Sequence, residues 1–291
     1  MERIRRAAKG GDSFAQNELG VSLDYGCDGT QSFSRAAEWY AKAARQGHHA
    51  AKSNLLLKHA LGQASLYRPI EVIEELKRLA ISGDASAQNN LGLCYQFGYG
   101  TEIDWPQAVR WFRRAAQSGL ATAQFNLGGL YLDGNGLRKS PRLALRWYTK
   151  AAEQRDELAL IQLGNMYEKG LGTEADPRRA VVLYLIAYRA GSARAGNHLA
   201  SMFRRGVGVK RDSSVAYSLY QQGVRTPDTP DIAENPSYYR TAYYWLGNMA
   251  ENGNGVERNL EIAIEWYRLG AAWGNASCTK ALDRVRGAQG R

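Results

Sequence analysis

The chain of 291 residues is short of several residue types, and each shortage narrows the reading. Its three cysteines, Cys27, Cys94 and Cys278, are odd in number and far apart. They indicate neither a disulfide framework nor a zinc site, and the thiols are expected to be free and mostly buried. The four histidines, His48, His49, His59 and His198, have no metal-ligand spacing beside cysteine or acid partners, and no nucleophile motif accompanies them. No catalytic residue, metal or cofactor is therefore expected. No run of about 18 apolar residues exists and the mean hydropathy is −0.46, which argues against a membrane-spanning helix. The opening stretch MERIRRAAKGGD is basic but lacks the apolar segment of a signal peptide. As written the chain is expected in the cytoplasm, with a periplasmic address open if a leader has been removed. Acid is also in deficit, with 28 Asp+Glu against 38 Lys+Arg and a formal net charge of +10. That balance suits an acidic protein partner, nucleic acid or an anionic surface, and bears on solubility and encounter more than on identity.

Glycine, by contrast, is plentiful at 31 residues, and it is periodic. The stretch GNGLRKS (134–140) has the composition of a phosphate-cradling loop. Similar stretches recur, however, as FGYGT, KGLGT, RGVGV and NGNGV. A catalytic loop occurs once, so the pattern is architectural. Leu-Gly pairs end at Gly20, Gly92, Gly128, Gly164 and Gly247, and the middle three are 36 residues apart. With degenerate copies at Leu56 and Ala200, seven repeats result, beginning near residues 12, 51, 84, 120, 156, 192 and 237. An insertion at 226–236 displaces the last.

Three columns hold one residue type in all seven copies: alanine from Ala15 to Ala242, leucine from Leu19 to Leu246, and glycine from Gly26 to Gly253. Alanine and leucine four apart share a helical face, and the small residue admits a neighbouring helix. The glycine ends the helix. Ser32, Asp104, Ser140, Asp176, Asp212 and Asn259 then read as N-caps of a second helix, with Pro69, Pro141 and Pro177 in its first turn. That helix runs to an aromatic pair, as in Trp39-Tyr40, Trp111-Phe112, Trp147-Tyr148 and Trp266-Tyr267, expected to be core. The fold class expected is all-α: a right-handed α/α solenoid of about seven 36-residue helix-turn-helix repeats in one domain. Half-repeat caps are expected at 1–11 and 275–291.

Segments such as AQNNLGLCYQFGYGTEIDWPQAVRWFRRAA and AQFNLGGLYLDGNGLRKSPRLALRWYTKAA closely resemble the Sel-one-like repeat family of the tetratricopeptide-like superfamily, and the resemblance covers nearly the whole chain. It implies a non-enzymatic adaptor or scaffold that binds another protein, with settings that include immunity against secreted antibacterial effectors. By the packing that the resemblance implies, the first helix of each repeat lines a concave side. The exposed positions of repeats 5 to 7 there would be Asn165, Glu168, Lys169, Arg194, Asn197, Ser201, Arg204, Arg205, Thr241, Tyr244, Asn248 and Glu251. Earlier repeats offer Asn89, Gln96, Phe97, Phe125 and Leu132. Arginine and tyrosine favour interface hot spots, which makes the C-terminal half the preferred protein-binding site.

Two departures from the pattern bear on function. Repeat 2 lacks the second glycine and the Trp-Tyr pair. The 226–236 insertion carries Asp228, Asp231 and Glu234 in a basic protein, and reads either as a binding loop or as a tolerated insertion. The partner expected is a protein, either acidic or a toxin-like effector. A competing reading places nucleic acid on Arg110, Arg113, Arg114, Arg142, Arg146, Arg178 and Arg179, but no known nucleic-acid motif accompanies them.

Overall fold

A computed structural model describes residues 1–25, 31–61, 69–224 and 236–289. Gly26, Gly62, Cys27, Asp228, Asp231 and Glu234 lie outside the described residues, as do the side chains of Tyr238 and Tyr239. Sixteen helices and no strand occur among the described residues. They are α1 Glu2–Lys9, α2 Ser13–Tyr25, α3 Phe33–Arg45, α4 His49–Ala60, α5 Pro69–Ile81, α6 Ala85–Phe97, α7 Trp105–Gln117 and α8 Ala121–Asp133. The second half has α9 Pro141–Glu153, α10 Glu157–Lys169, α11 Pro177–Arg189, α12 Ala193–Arg205, α13 Ser213–Val224, α14 Pro236–Asn252, α15 Leu260–Ala272 and α16 Ala276–Gln289. None is long and apolar enough to cross a membrane. Two compact units, Met1–Ala159 and Leu160–Arg291, divide the chain within α10. Each is an α/α stack in which consecutive helices pack on one another, as α2 on α3 in the first and α12 on α13 in the second.

Helix starts follow the expected chemistry. Ser32, Asp104, Ser140, Asp176, Asp212 and Asn259 each accept the backbone N–H three residues on. First helices are capped as well, which the repeat columns had not revealed. Asp12, Asp84, Asp156 and Ser192 take the N–H of Ala15, Ala87, Ala159 and Ala195. His48 is a cap too, because its Nδ1 accepts the Ala51 N–H at 3.2 Å. At the other end Gly98, Gly134 and Gly206 adopt left-handed φ of 74°, 88° and 70°. The second glycine of three links, Gly136, Gly208 and Gly255, has a separate task. A Cβ on Gly208 would lie 2.5 Å from the Pro177 carbonyl oxygen, so the link seats directly on the first turn of α11.

The core is built on one contact. In the Leu-Gly pairs, a Cβ on Gly20, Gly92, Gly128, Gly164 or Gly247 would sit 2.5 to 2.9 Å from the ring of Tyr40, Phe112, Tyr148, Tyr184 or Tyr267. Those rings are buried, each 3% exposed or less. Glycine lets the second-helix ring lie flat on first-helix backbone. The second and sixth copies are the exceptions, with buried Leu56 and Ala200 in the glycine slot, and the sixth keeps Tyr220 as its ring. The preceding residue of each aromatic pair is less deeply placed than expected. Trp111 is buried, but Trp39, Trp147 and Trp266 are half-buried, with Lys42 4.0 Å over Trp39 and Lys150 4.8 Å over Trp147. Cys94 and Cys278 are buried free thiols.

Gly164→Ala is expected to lower the urea midpoint of unfolding, because its Cβ would lie 2.6 Å from the Tyr184 ring and overpacking costs about 1–3 kcal/mol. Ala200→Gly, which restores the common residue, is expected to cost no more than about 1 kcal/mol of helix propensity. Equal losses in the two variants would show that the ring contact does not discriminate.

Candidate functional site

The first helices of the second unit are α10, α12 and α14, with α16 as the lone final one. Their polar positions are best read against the same positions in other copies. Asp24, Glu168 and Glu251 stand sixteen residues before Tyr40, Tyr184 and Tyr267, and each accepts that tyrosine's hydroxyl, at 3.3, 3.3 and 2.8 Å. Each acid also meets a cation from the next first helix: Lys58 at 2.5 Å, Arg205 at 2.9 Å, and Arg284 in a two-pronged contact at 2.6 and 2.7 Å. Arg284, with Tyr267 assisting, holds the Glu251 carboxyl below the usual carboxylate range. Glu168 and Glu251 are thus internal staples, 14% and 12% exposed, and not the free surface positions expected. Arg205, 45% exposed, is the outer arm of one such staple.

The other copies have no acid in this slot, which holds Ala60, Gln96, Leu132 and, in the sixth copy, Arg204, so the sixth is the one that sets a cation there. Arg204 stands sixteen residues before Tyr220, and no acid pairs with it among the described residues. Its guanidinium lies 3.5 Å from the centre of the Trp245 ring, and together with Ser201 it hydrogen-bonds the Tyr220 hydroxyl.

A second column differs in the same place. In the first unit asparagines form a ladder: Asn126 donates to Asn89 at 2.9 Å, Asn89 to Asn90 at 3.3 Å, Asn90 to Asn54 at 3.2 Å and Asn54 to Asn17 at 3.3 Å. In the second unit Asn197 occupies the Asn89 position. It is only 8% exposed, and neither its amide nitrogen nor its oxygen has a hydrogen-bond partner. Its expected exposure is therefore corrected, as is that of Asn89. His198 follows in the Asn90 position and stacks on Tyr184 at 4.7 Å and 11°.

These exceptions meet at a cleft of about 300 Å³ between α12, α13 and α14, lined by Asn197, His198, Ser201, Tyr220, Thr241, Ala242 and Trp245. Asn197, Ser201 and Thr241 were expected on this surface, with Arg204 beside them. The remaining expected residues surround the cleft or lie apart from it. Tyr244 is half-buried and meets Trp245 edge-on at 5.1 Å, while Asn165 accepts the Tyr184 hydroxyl at 2.9 Å. Lys169 is exposed, and Arg194 and Asn248 are half-buried. His198, Tyr220, Ala242 and Trp245 were missed, although arginine in an acid slot and alanine in a glycine slot were signals available in the alignment of copies. In the first unit, Phe97 is exposed beside Tyr99, and Gln96, Phe125 and Leu132 are half-buried. Of the arginines considered for nucleic acid, Arg110 and Arg114 lie over Trp111, Arg113 donates to the Tyr131 hydroxyl and Arg179 to that of Tyr167. They cover aromatic surface.

Stacked pairs of antiparallel helices with these caps and glycines define a helical-repeat protein, and the comparisons specify which. A sequence profile of the Sel1 repeat matches residues 13–48, 85–120, 121–156, 158–192, 193–225 and 240–275. The chain belongs to the Sel1 repeat family. The degenerate second copy falls in the unmatched stretch, where α4 and α5 nonetheless form. Among solved structures, c5321, a protective antigen present in uropathogenic Escherichia coli strains and displaying an SLR fold, is 31% identical with a TM-score of 0.70. The match covers 98% of this chain but 58% of that one, so this chain spans little more than half the antigen's length. A Sel1 repeat protein from Oxalobacter formigenes is 27% identical with a TM-score of 0.68, over 97% of this chain and 78% of that one. The immunity protein Pa5087 of Pseudomonas aeruginosa is more distant, at 18% identity and a TM-score of 0.47 over 78% of this chain and 83% of that one, and bears on neither partner nor activity. No curated protein matches the chain.

Burial pulls the His198 imidazole down to about 4, with Lys169 and Arg194 acting in the same direction and Glu168 opposing them. The ring is therefore neutral in the folded protein near pH 7, whereas in the unfolded chain it takes up a proton near pH 6.5. Protons favour the unfolded state between those values, so this contribution to stability is intact above pH 6.5 and lost as the pH falls toward 4. The loss is expected to reach about 3 kcal/mol at most. Unfolding midpoints at pH 7 and pH 4.5 should differ more for the wild type than for His198→Gln, and parallel pH profiles would contradict it.

Proposed function

We propose that the chain is a non-enzymatic protein-binding scaffold whose partner docks on the first-helix surface of the second unit, around the cleft between α12 and α14. One observation carries the reading. Asn197 is buried at the cleft with both amide atoms unpaired, while asparagines at the matching positions of the first unit satisfy one another. An unpaired buried amide costs about 1–3 kcal/mol, and a docking partner can offset that cost. Arg204, Arg205 and Tyr244 border the same surface and are residue types that favour interface hot spots. Asn165, Glu168, Lys169, Arg194, Asn248 and Glu251 form its surroundings. The staples of Glu168 and Glu251 hold neighbouring first helices in register, and so shape the surface more than they contact a partner. A secreted effector toxin would be a partner of this kind, and the identity of the captured protein decides that point.

The test is affinity capture from the native cells with the wild type and with the Arg204→Ala, Arg205→Ala, Tyr244→Ala triple variant, each first shown to be folded by circular dichroism. A protein recovered by the wild type is expected to be depleted about tenfold or more with the variant. Undiminished recovery would place the site elsewhere, and recovery of nucleic acid alone would favour a charge-driven role.

A further inference from the structure

We propose that the cleft of the second unit is a receptor for a carboxylate carried by the partner, held by Arg204, Tyr220 and Asn197. The inference rests on the protein-binding reading above and specifies the chemistry it requires.

The argument comes from the copies in which the same place is filled from within. In the first, fifth and seventh, a carboxylate of the chain itself accepts the buried tyrosine's hydroxyl and binds one cation: Asp24 with Lys58, Glu168 with Arg205, Glu251 with Arg284. The sixth copy keeps the tyrosine and a cation but not the acid, because Arg204 itself stands in the acid's slot. Tyrosine hydroxyl and guanidinium are thus brought together here too, although the cation comes from the acid's own slot and not from the next first helix, and no acid among the described residues completes them. The Arg204 Nε is buried without a hydrogen-bond partner against Trp245, which lines the cleft, and Asn197, itself a lining residue, has an unpaired amide. A carboxylate has two acceptor oxygens, enough to take hydrogen bonds from the guanidinium and the amide together. An incoming ammonium would instead meet like charge.

The walls add a second requirement. Trp245 lies under the guanidinium, and Tyr220 and His198 line the space. A volume of about 300 Å³ admits one side chain or one chain end, flanked by apolar groups that rest on the aromatics. The net charge of +10 favours encounter with an acidic partner. The carboxylate can come from an Asp or Glu side chain or from a free C-terminus, since both present the same two oxygens.

The experiment uses the full chain and three short synthetic peptides rich in leucine. One has a central glutamate and an amidated end, one has glutamine in its place, and one has no acidic side chain but a free C-terminal carboxylate. Binding is read by calorimetric titration and by the Arg204 Nε–H resonance. At least one carboxylate peptide is expected to bind and to shift that resonance, the glutamine peptide to bind at least about tenfold more weakly, and Arg204→Gln to raise the Kd by about tenfold or more. Arg178→Gln, which removes an exposed arginine elsewhere on the unit, is expected to leave the Kd unchanged. Which peptide binds distinguishes the side-chain source from the chain end. If Arg204→Gln does not fold, Arg204→Glu serves instead. It supplies the acid of the first, fifth and seventh copies, and is expected to fold and to lose the carboxylate peptide.

Equal binding of the glutamine peptide, unchanged affinity in the Arg204 variant, or no binding of either carboxylate peptide at millimolar concentration would overturn the inference. If the triple variant still loses its captured protein while these peptides fail, the scaffold reading stands and the carboxylate assignment falls.

Discussion

The flat contact between a second-helix aromatic ring and a first-helix glycine sets the spacing on which everything else depends. A Cβ at Gly164 or Gly247 would stand 2.6 or 2.5 Å from the ring of Tyr184 or Tyr267, so only glycine lets the two helices close to that distance. Once they do, the tyrosine hydroxyl emerges at a fixed height beside the first helix. At Tyr40, Tyr184 and Tyr267 the residue sixteen positions earlier is its hydrogen-bond partner. The acid column, the inter-repeat cations and the cleft are consequences of where that hydroxyl arrives.

Repetition makes the exceptions meaningful. A staple satisfies a carboxylate and a phenol at low solvent exposure, where leaving either unpaired is costly, with a cation that is buried at Lys58 and exposed at Arg205 and Arg284. The asparagine ladder of the first unit does the same with neutral amides. Around α12 both devices stop. Arg204 replaces an acid, His198 replaces a ladder asparagine, and Ala200 replaces the glycine under Tyr220. The polar groups left there are those that a partner can complete.

Much of this architecture was legible in the residues. Ala87, Leu91 and Phe112 are core in the structure, and Asp104 and Asp176 cap their helices, because each answers to local periodicity and backbone chemistry that recur in every copy. The tryptophans of the aromatic pairs were less legible. Trp39 and Trp147 stay half-buried with Lys42 and Lys150 laid over them. His48 as a cap escaped notice because histidine is an unusual residue in that role.

The sequence by itself determined the repeat length, the helix limits and the identity of the buried rings, since those follow from patterns contained within one copy. The tertiary structure decided which polar side chains of the first helices are spent on the fold and which surround an open cleft. Glu168 meets Arg205, and Glu251 meets Arg284, across 37 and 33 residues of chain. Whether such groups meet is settled by how one copy is stacked on the next, and not by the residues of either copy alone.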